Sequence, residues 1–338
     1  MILIHNDGYH AHYFERFGWH KALVSAGIES SFYSGVLGFD SLDIVQPSII
    51  ISQLYNINGA TVKYLRENPF IKLILRSGHH SDVSELMSDP NMLCVNHEQI
   101  KILEELNSFL INKPVIYCHY LQKHMHVTHG KFEEMRNKVL GVPMSADICT
   151  YLDGQYSDDL ACDIAFVGGY WPYKGKIIDK YLTPLLQSGK YSAKVFGNQP
   201  WPHVNQYCGL IADDTVKHLF ASARVCPNLS EPHAQTHGFD LNERAFKILS
   251  SGGVCVMDKV EAAQEMLGKY VFIADDEKMF GDIVEDLIRN PVSPEFKRNS
   301  RNFIVNNHSN FHRIASIMDS IGEYGKSKGI MDAHNNYI

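Results

Sequence analysis

The feature that most constrains this chain is a repeated alternation: short apolar, β-branched runs, each followed by a stretch with helical spacing. Ser48-Ile-Ile-Ile-Ser52 is the clearest run. It is short and has no polar face, so it reads as a parallel strand covered on both sides. Residues 1–5, 29–33, 71–76, 92–95 and 115–117 read as further strands, and 11–26, 60–67 and 97–110 as helices. A second cycle begins at Asp163, with strands over 163–167, 193–196, 224–227, 253–257 and 270–273. Helices are predicted over 177–186, 214–221, 242–250 and 262–267. The alternation predicts two α/β units, each a parallel sheet with helices on both faces. The expected bounds are 1–150 and 151–325, with 326–338 a flexible tail. The join falls where Asp153-Gly154-Gln155 and Ser157-Asp158-Asp159 interrupt the pattern.

Composition narrows the function classes. The chain has 338 residues, 45% hydrophobic and 20% charged, which suits two globular domains. A net charge of -7 argues against a protein that coats nucleic acid, although Lys63, Arg66, Arg76, Lys123 and Lys131 could wall a local basic groove. The seven cysteines are scattered and form no C-x-x-C pair, which predicts reduced, buried thiols and no structural zinc. His124-x-His126-x-x-His129 fits no standard zinc spacing, so no metal site is expected. No leader segment and no apolar stretch of about 20 residues is visible, so a cytoplasmic protein without a membrane span is expected.

Three segments of the second half carry candidate chemistry. Asp163-Ile-Ala-Phe-Val-Gly-Gly delivers Gly168 and Gly169 from a strand into a turn before a helix, where the backbone can approach an anion. Ala193-Lys-Val-Phe-Gly ends a strand at Gly197, and Trp201 follows, either to cover a base or sugar or to fill a gap between loops. The third segment runs from Thr236 through His237, Gly238, Asn242, Glu243 and Arg244 to Gly252-Gly253. A polar loop enters a helix with Asn242 as N-cap, and Arg244 in the first turn can meet a diphosphate in fork geometry or pair with a nearby carboxylate.

Arg244-Ala-Phe-Lys-Ile-Leu-Ser-Ser-Gly-Gly resembles the donor-binding signature of group-1 glycosyltransferases, in its CgeB-like branch. Asp163–Tyr170, Val195-Phe-Gly with Trp201, Val225-Cys-Pro-Asn-Leu with Asn228, and the late Asp275 to Arg313 stretch resemble other family elements in the same order. The resemblance spans about residues 163–315. It implies a GT-B architecture: two Rossmann-like domains facing a cleft, the second holding the nucleotide sugar. It implies transfer to an acceptor hydroxyl without an obligatory metal or other cofactor, and a UDP-sugar is the expected donor. The acceptor would be a glycan, a protein, or a hydroxymethylated pyrimidine in DNA, since some phage enzymes of that kind share the fold. One residue departs from the signature. Lys247 stands where the family has the glutamate that holds the ribose, and a lysine cannot accept those hydrogen bonds. Glu243 or Asp240 would then take the role, or the donor is held differently; Lys247 also keeps open the alternative of a non-catalytic nucleotide-binding sensor.

In the first half, the loop His5-Asn6-Asp7-Gly8-Tyr9-His10 follows the first strand, and Asp7 is a candidate base for the acceptor hydroxyl. His79 and His80 end another strand and are the alternatives, with His119 a further one among 18 histidines.

Overall fold

The structure is a computed structural model that describes residues 1–8, 11–202 and 204–338, with Ala11 described by its backbone alone. Tyr9 and His10 of the predicted loop lie outside the described residues. The chain divides into two compact units, 1–143 with 310–337 and 144–309 with Ile338.

The first unit is built on six strands: β1 (Ile2–His5), β2 (Ser30–Tyr33), β3 (Ile49–Gln53), β4 (Lys72–Arg76), β5 (Val115–Cys118) and β6 (Val139–Gly141). They pair in the order β2-β1-β3-β4-β5-β6, with every register parallel. Ile49, Ile50 and Ile51 are buried, as a central strand with helices on both faces requires. The core packs Leu65, Leu73, Leu75, Leu103, Leu106, Ile116 and Phe132 together. The order reverses between β1 and β3, because β2 extends the sheet one way and β3 the other.

The second unit repeats the plan with β7 (Cys162–Val167), β8 (Ala193–Phe196), β9 (Ala223–Asn228), β10 (Cys255–Asp258) and β11 (Phe272–Ala274). The order is β11-β10-β9-β7-β8, again parallel, and it reverses between β7 and β9. Crevices beyond the strand ends at such reversals are where open α/β sheets bind ligands.

Several sequence expectations need correction. Residues 92–95 form no strand; Cys94 makes a single bridge to His79, and Gly78 presses so closely on this segment that a Cβ there would lie 2.3 Å from the Leu93 carbonyl oxygen. Strand β6 and the helix Gln122–Glu134 were not anticipated, since the latter carries four histidine and glycine positions that blur its apolar stripe. The helix expected over 177–186 starts earlier and breaks at Leu182 into Pro172–Tyr181 and Thr183–Gln187, where Pro184 lacks an amide to continue it.

The C-terminal expectation also differs. Residues 326–338 are no loose tail: Tyr324–His334 is a helix with Ile330, Ala333 and His334 buried, and it packs with the helices Asn310–Ser320 and Ala11–Ser25. The chain from Asn310 onward thus returns to the first unit rather than closing the second at 325. Gly325, Lys326 and Lys328 give the segment a polar look, while Ile330, at 0% exposure, is its large fully buried apolar side chain. Ile330→Ala should cost about 2–5 kcal/mol of stability, the range for a buried isoleucine truncated to alanine. Urea unfolding measures it, and a change within about 0.5 kcal/mol would show the segment to be loose.

Candidate functional site

The strand ends at the reversal of the second sheet hold two cations, one half-buried and one buried. Arg244 lies in the first turn of the helix Glu243–Ser250, whose N-cap Asn242 accepts a bond from the Arg244 amide at 3.2 Å, as anticipated. The side chain reaches back beneath β7. Its Nε donates to the Val167 carbonyl at 2.6 Å and one terminal nitrogen to Asn228 Oδ1 at 3.3 Å. Its guanidinium carbon sits 4.4 Å from the centre of the Phe166 ring. Val167 ends β7 and Asn228 ends β9, so this one side chain straddles the reversal.

The glycines now have steric reasons. A Cβ on Gly168 would stand 2.5 Å from an Arg244 terminal nitrogen, and one on Gly197 would stand 2.6 Å from the Gly168 carbonyl oxygen. Gly169 borders Asn198, whose Oδ1 would lie 3.0 Å from such a Cβ. The Gly168 amide is not available to an anion, as the sequence suggested, because it donates to the Phe196 carbonyl at 2.8 Å.

The sequence missed the second cation. Lys174 follows Pro172 at the start of the helix Pro172–Tyr181 and is only 5% exposed. Its Nζ lies 4.9 Å from the Trp171 ring centre. Burial foremost, then Arg244 nearby, pushes its pKa down to about 7; Glu231, Asp258 and Glu243 pull the other way. Burial likewise pushes the Arg244 guanidinium down to about 10. Neither cation has a carboxylate within ion-pair distance among the described residues. Asn228 Nδ2, fully buried beside them, has no hydrogen-bond partner. A Pro followed two residues later by Lys at a helix start after two glycines was the signal available in the sequence.

Other anticipated positions have these local partners. His237 and Gly238 close the short helix Pro232–His237 instead of opening one: Gly238 sits at φ 72° and its amide donates to the Ala234 carbonyl at 2.9 Å. Trp201 is 4% exposed, edge-on to Phe166, and donates to the Gly168 carbonyl at 3.1 Å, so it fills the gap between loops. Lys247 bonds Glu243 Oε1 at 2.9 Å and lies over the Tyr151 ring, so the residue that departs from the signature is held by the glutamate next to Arg244. Asp258 is buried at the end of β10 and accepts from the Ser230 amide and from Gln235, anchoring the loop after β9.

In the first unit, Asp7 is exposed just beyond β1, at the reversal of that sheet. His79 is 1% exposed, with Nε2 2.8 Å from the Tyr120 hydroxyl, so burial removes it from the role of solvent-facing base. His80 packs on Phe132, and burial with Lys131 nearby lowers its pKa. β4 lies two strands from β1, about 10 Å away, so Asp7 and the two histidines do not form one cluster. Of the five residues of the anticipated basic wall, Arg66 pairs with Glu105 and Lys131 with Asp82.

A cavity of about 650 Å³ lies elsewhere, near Asp153, Ser251 and Arg301 at the amino ends of the second sheet's strands. It holds the Arg301–Asp153 ion pair and is lined by Lys297 and Arg298 as well.

Because the folded pKa of Lys174 is lowered, the unfolded chain holds more protons between about 7 and the ordinary 10.5. The destabilisation from burying its ammonium is full below pH 7 and fades as pH rises toward 10.5. Lys174→Met should therefore stabilise the unliganded protein near pH 6 and gain much less near pH 10. Urea unfolding at both pH values measures this, and an equal difference at the two would contradict it.

Residues 180–319 match the family model described as glycosyl transferase-like. None of the curated proteins matches the sequence. Among solved structures, T4 phage BGT in complex with its UDP-glucose substrate is 14% identical with a TM-score of 0.56, covering 98% of this chain and 98% of that one. An alpha-glucosyltransferase in complex with UDP-glucose and DNA containing an abasic site is 12% identical with a TM-score of 0.64, covering 95% and 99%. Sucrose-phosphate synthase from Thermosynechococcus elongatus is 12% identical with a TM-score of 0.59, covering 95% and 98%. No helix among the described residues is long and apolar enough to cross a membrane. The chain therefore has the GT-B fold, and residues 180–319, most of them in its second unit, match a glycosyl transferase-like family model.

Proposed function

We propose that the chain transfers a sugar from a UDP-sugar to an acceptor hydroxyl, with the donor diphosphate between Arg244 and Lys174. The observation that carries this reading is the pair of neighbouring cations, Lys174 buried and Arg244 half-buried, without a carboxylate in ion-pair distance among the described residues, at the strand reversal of the second sheet. A diphosphate would neutralise both and restore the proton that burial pulls from Lys174. In the transfer, the bond between the anomeric carbon and the diphosphate breaks and the leaving group gains negative charge. Two fixed cations stabilise that charge more than the ground state, which lowers the barrier. Asn228 Nδ2 supplies a further donor, and the N-terminus of the helix Pro172–Tyr181, which has no side-chain cap, adds its positive end.

Asp7, exposed at the reversal of the first sheet, is the base we assign to the acceptor hydroxyl in preference to His79 and His80. On the Arg244–Gly253 motif we place the chain in the CgeB-like branch. The acceptor class to test first is a hydroxymethylated pyrimidine in DNA, because solved relatives in fold include an alpha-glucosyltransferase in complex with UDP and DNA containing a HMU base.

The test is a thermal-shift screen over nucleotides and nucleotide sugars, followed by sugar transfer to hydroxymethylated DNA and to free glycans. A selective rise with UDP and one UDP-sugar, with turnover, supports the proposal; no rise with any nucleotide overturns it. Binding without turnover on any acceptor or water would favour a nucleotide sensor. Arg244→Ala should weaken UDP binding at least about tenfold, the scale of one lost charge-assisted contact, and unchanged binding in the folded variant would overturn the assignment. Since side chains meet the phosphates, EDTA should leave the UDP dissociation constant unchanged. A loss restored by a divalent ion would place a metal on the diphosphate.

A further inference from the structure

The first unit gathers three metal-binding side chains that sequence spacing did not reveal. His12 and Glu15 stand three residues apart on one face of the helix Ala11–Ser25, and His119 follows β5. One donor atom from each lies within 4.8 Å of the others. The His12 and His119 rings stack with centroids 4.6 Å apart.

Two observations point to a missing cation. Glu15 and His119 are 5% and 3% exposed, yet both Glu15 carboxylate oxygens and His119 Nε2 have no hydrogen-bond partner. Glu15 Oε2 and His119 Nε2 are 3.3 Å apart without the alignment of a hydrogen bond. Two donors bound at about 2.1 Å to one tetrahedral ion stand about 3.4 Å apart. The His119 Nδ1 lies 3.1 Å from the Val142 carbonyl, and a proton there leaves the Nε2 lone pair pointing at the cluster.

We infer that His12, Glu15 and His119 form a binding site for a divalent transition-metal ion of the zinc type. Two imidazoles and one carboxylate suit zinc or cobalt and leave a coordination position open for water. Calcium and magnesium prefer cages of oxygen ligands, which this cluster lacks. Arg313, half-buried and within electrostatic reach of Glu15, offsets part of the carboxylate's charge. That favours an ion held by nitrogen donors over one held by charge alone. The site stands apart from the donor-phosphate assignment, and either can fail without the other.

The experiment titrates cobalt(II) into tag-free, chelator-dialysed full-length protein and follows the visible absorption bands, then displaces cobalt with zinc. One equivalent of cobalt should give intense bands, and zinc should raise the melting temperature. Glu15→Gln and His119→Gln should each weaken cobalt binding at least about 100-fold, the upper end of what losing an outer partner costs. His126→Gln, at an exposed histidine paired with Glu133, should bind like the wild type. No bands in the folded wild type would overturn the site and leave Glu15 and His119 as an ion pair. Undiminished binding in folded Glu15→Gln and His119→Gln would overturn it as well. Should those variants fail to fold, the wild-type spectrum and His12→Gln decide the question in the same terms.

Discussion

The second unit depends on one arginine held by backbone rather than by an acid. Arg244 crosses from its own helix to the ends of two strands, and the Val167 carbonyl, Asn228 and the Phe166 face fix its guanidinium. Those partners satisfy its geometry without cancelling its charge. The neighbourhood is arranged around the crossing: Gly168 is bare because Arg244 occupies the space of its Cβ, and Gly197 because the displaced Gly168 backbone occupies its own. Lys174 enters the same volume from another helix, and both cations lose proton affinity there. A fold that keeps two such charges close, one of them buried, is destabilised by them unless an anion arrives. Local violations of this kind are expected at functional sites.

Neighbouring polar residues keep that arrangement rigid. Asp258 ties down the loop after β9 through the Ser230 amide and Gln235. Glu243 takes up Lys247, which also lies over Tyr151, so the charge that breaks the family signature is absorbed within its own helix. An i,i+4 pair of this kind, mostly buried, orients the helix face that carries Arg244.

Much of the fold was legible because it is local. The Ile49–Gln53 run, the glycine stops after β7 and β8 and the Asn242 cap all act through neighbours in sequence, and each appears where expected. Legibility failed where the decisive partner was remote. Met92–Val95 has strand composition but meets Gly78, and Trp201 could have faced a ligand until Phe166 and Gly168 claimed it. The polar-looking C-terminus became a helix only because the first unit offers a core to Ile330.

The sequence by itself determined the alternation of strands and helices, the two-sheet plan and the place of Arg244 at a helix start. Periodicity and capping are short-range, and they need no knowledge of the rest of the chain. Only the tertiary structure decided that Arg244 lies across Val167 and Asn228, that Lys174 shares its volume, and that His12, Glu15 and His119 converge. These depend on strand order. Placing β9 and β10 on the far side of β7 from β8, and β5 within reach of the first helix, sets which distant residues meet. Burial then sets the strength of their charges, because desolvation and Coulomb interaction follow distance in space and not distance along the chain.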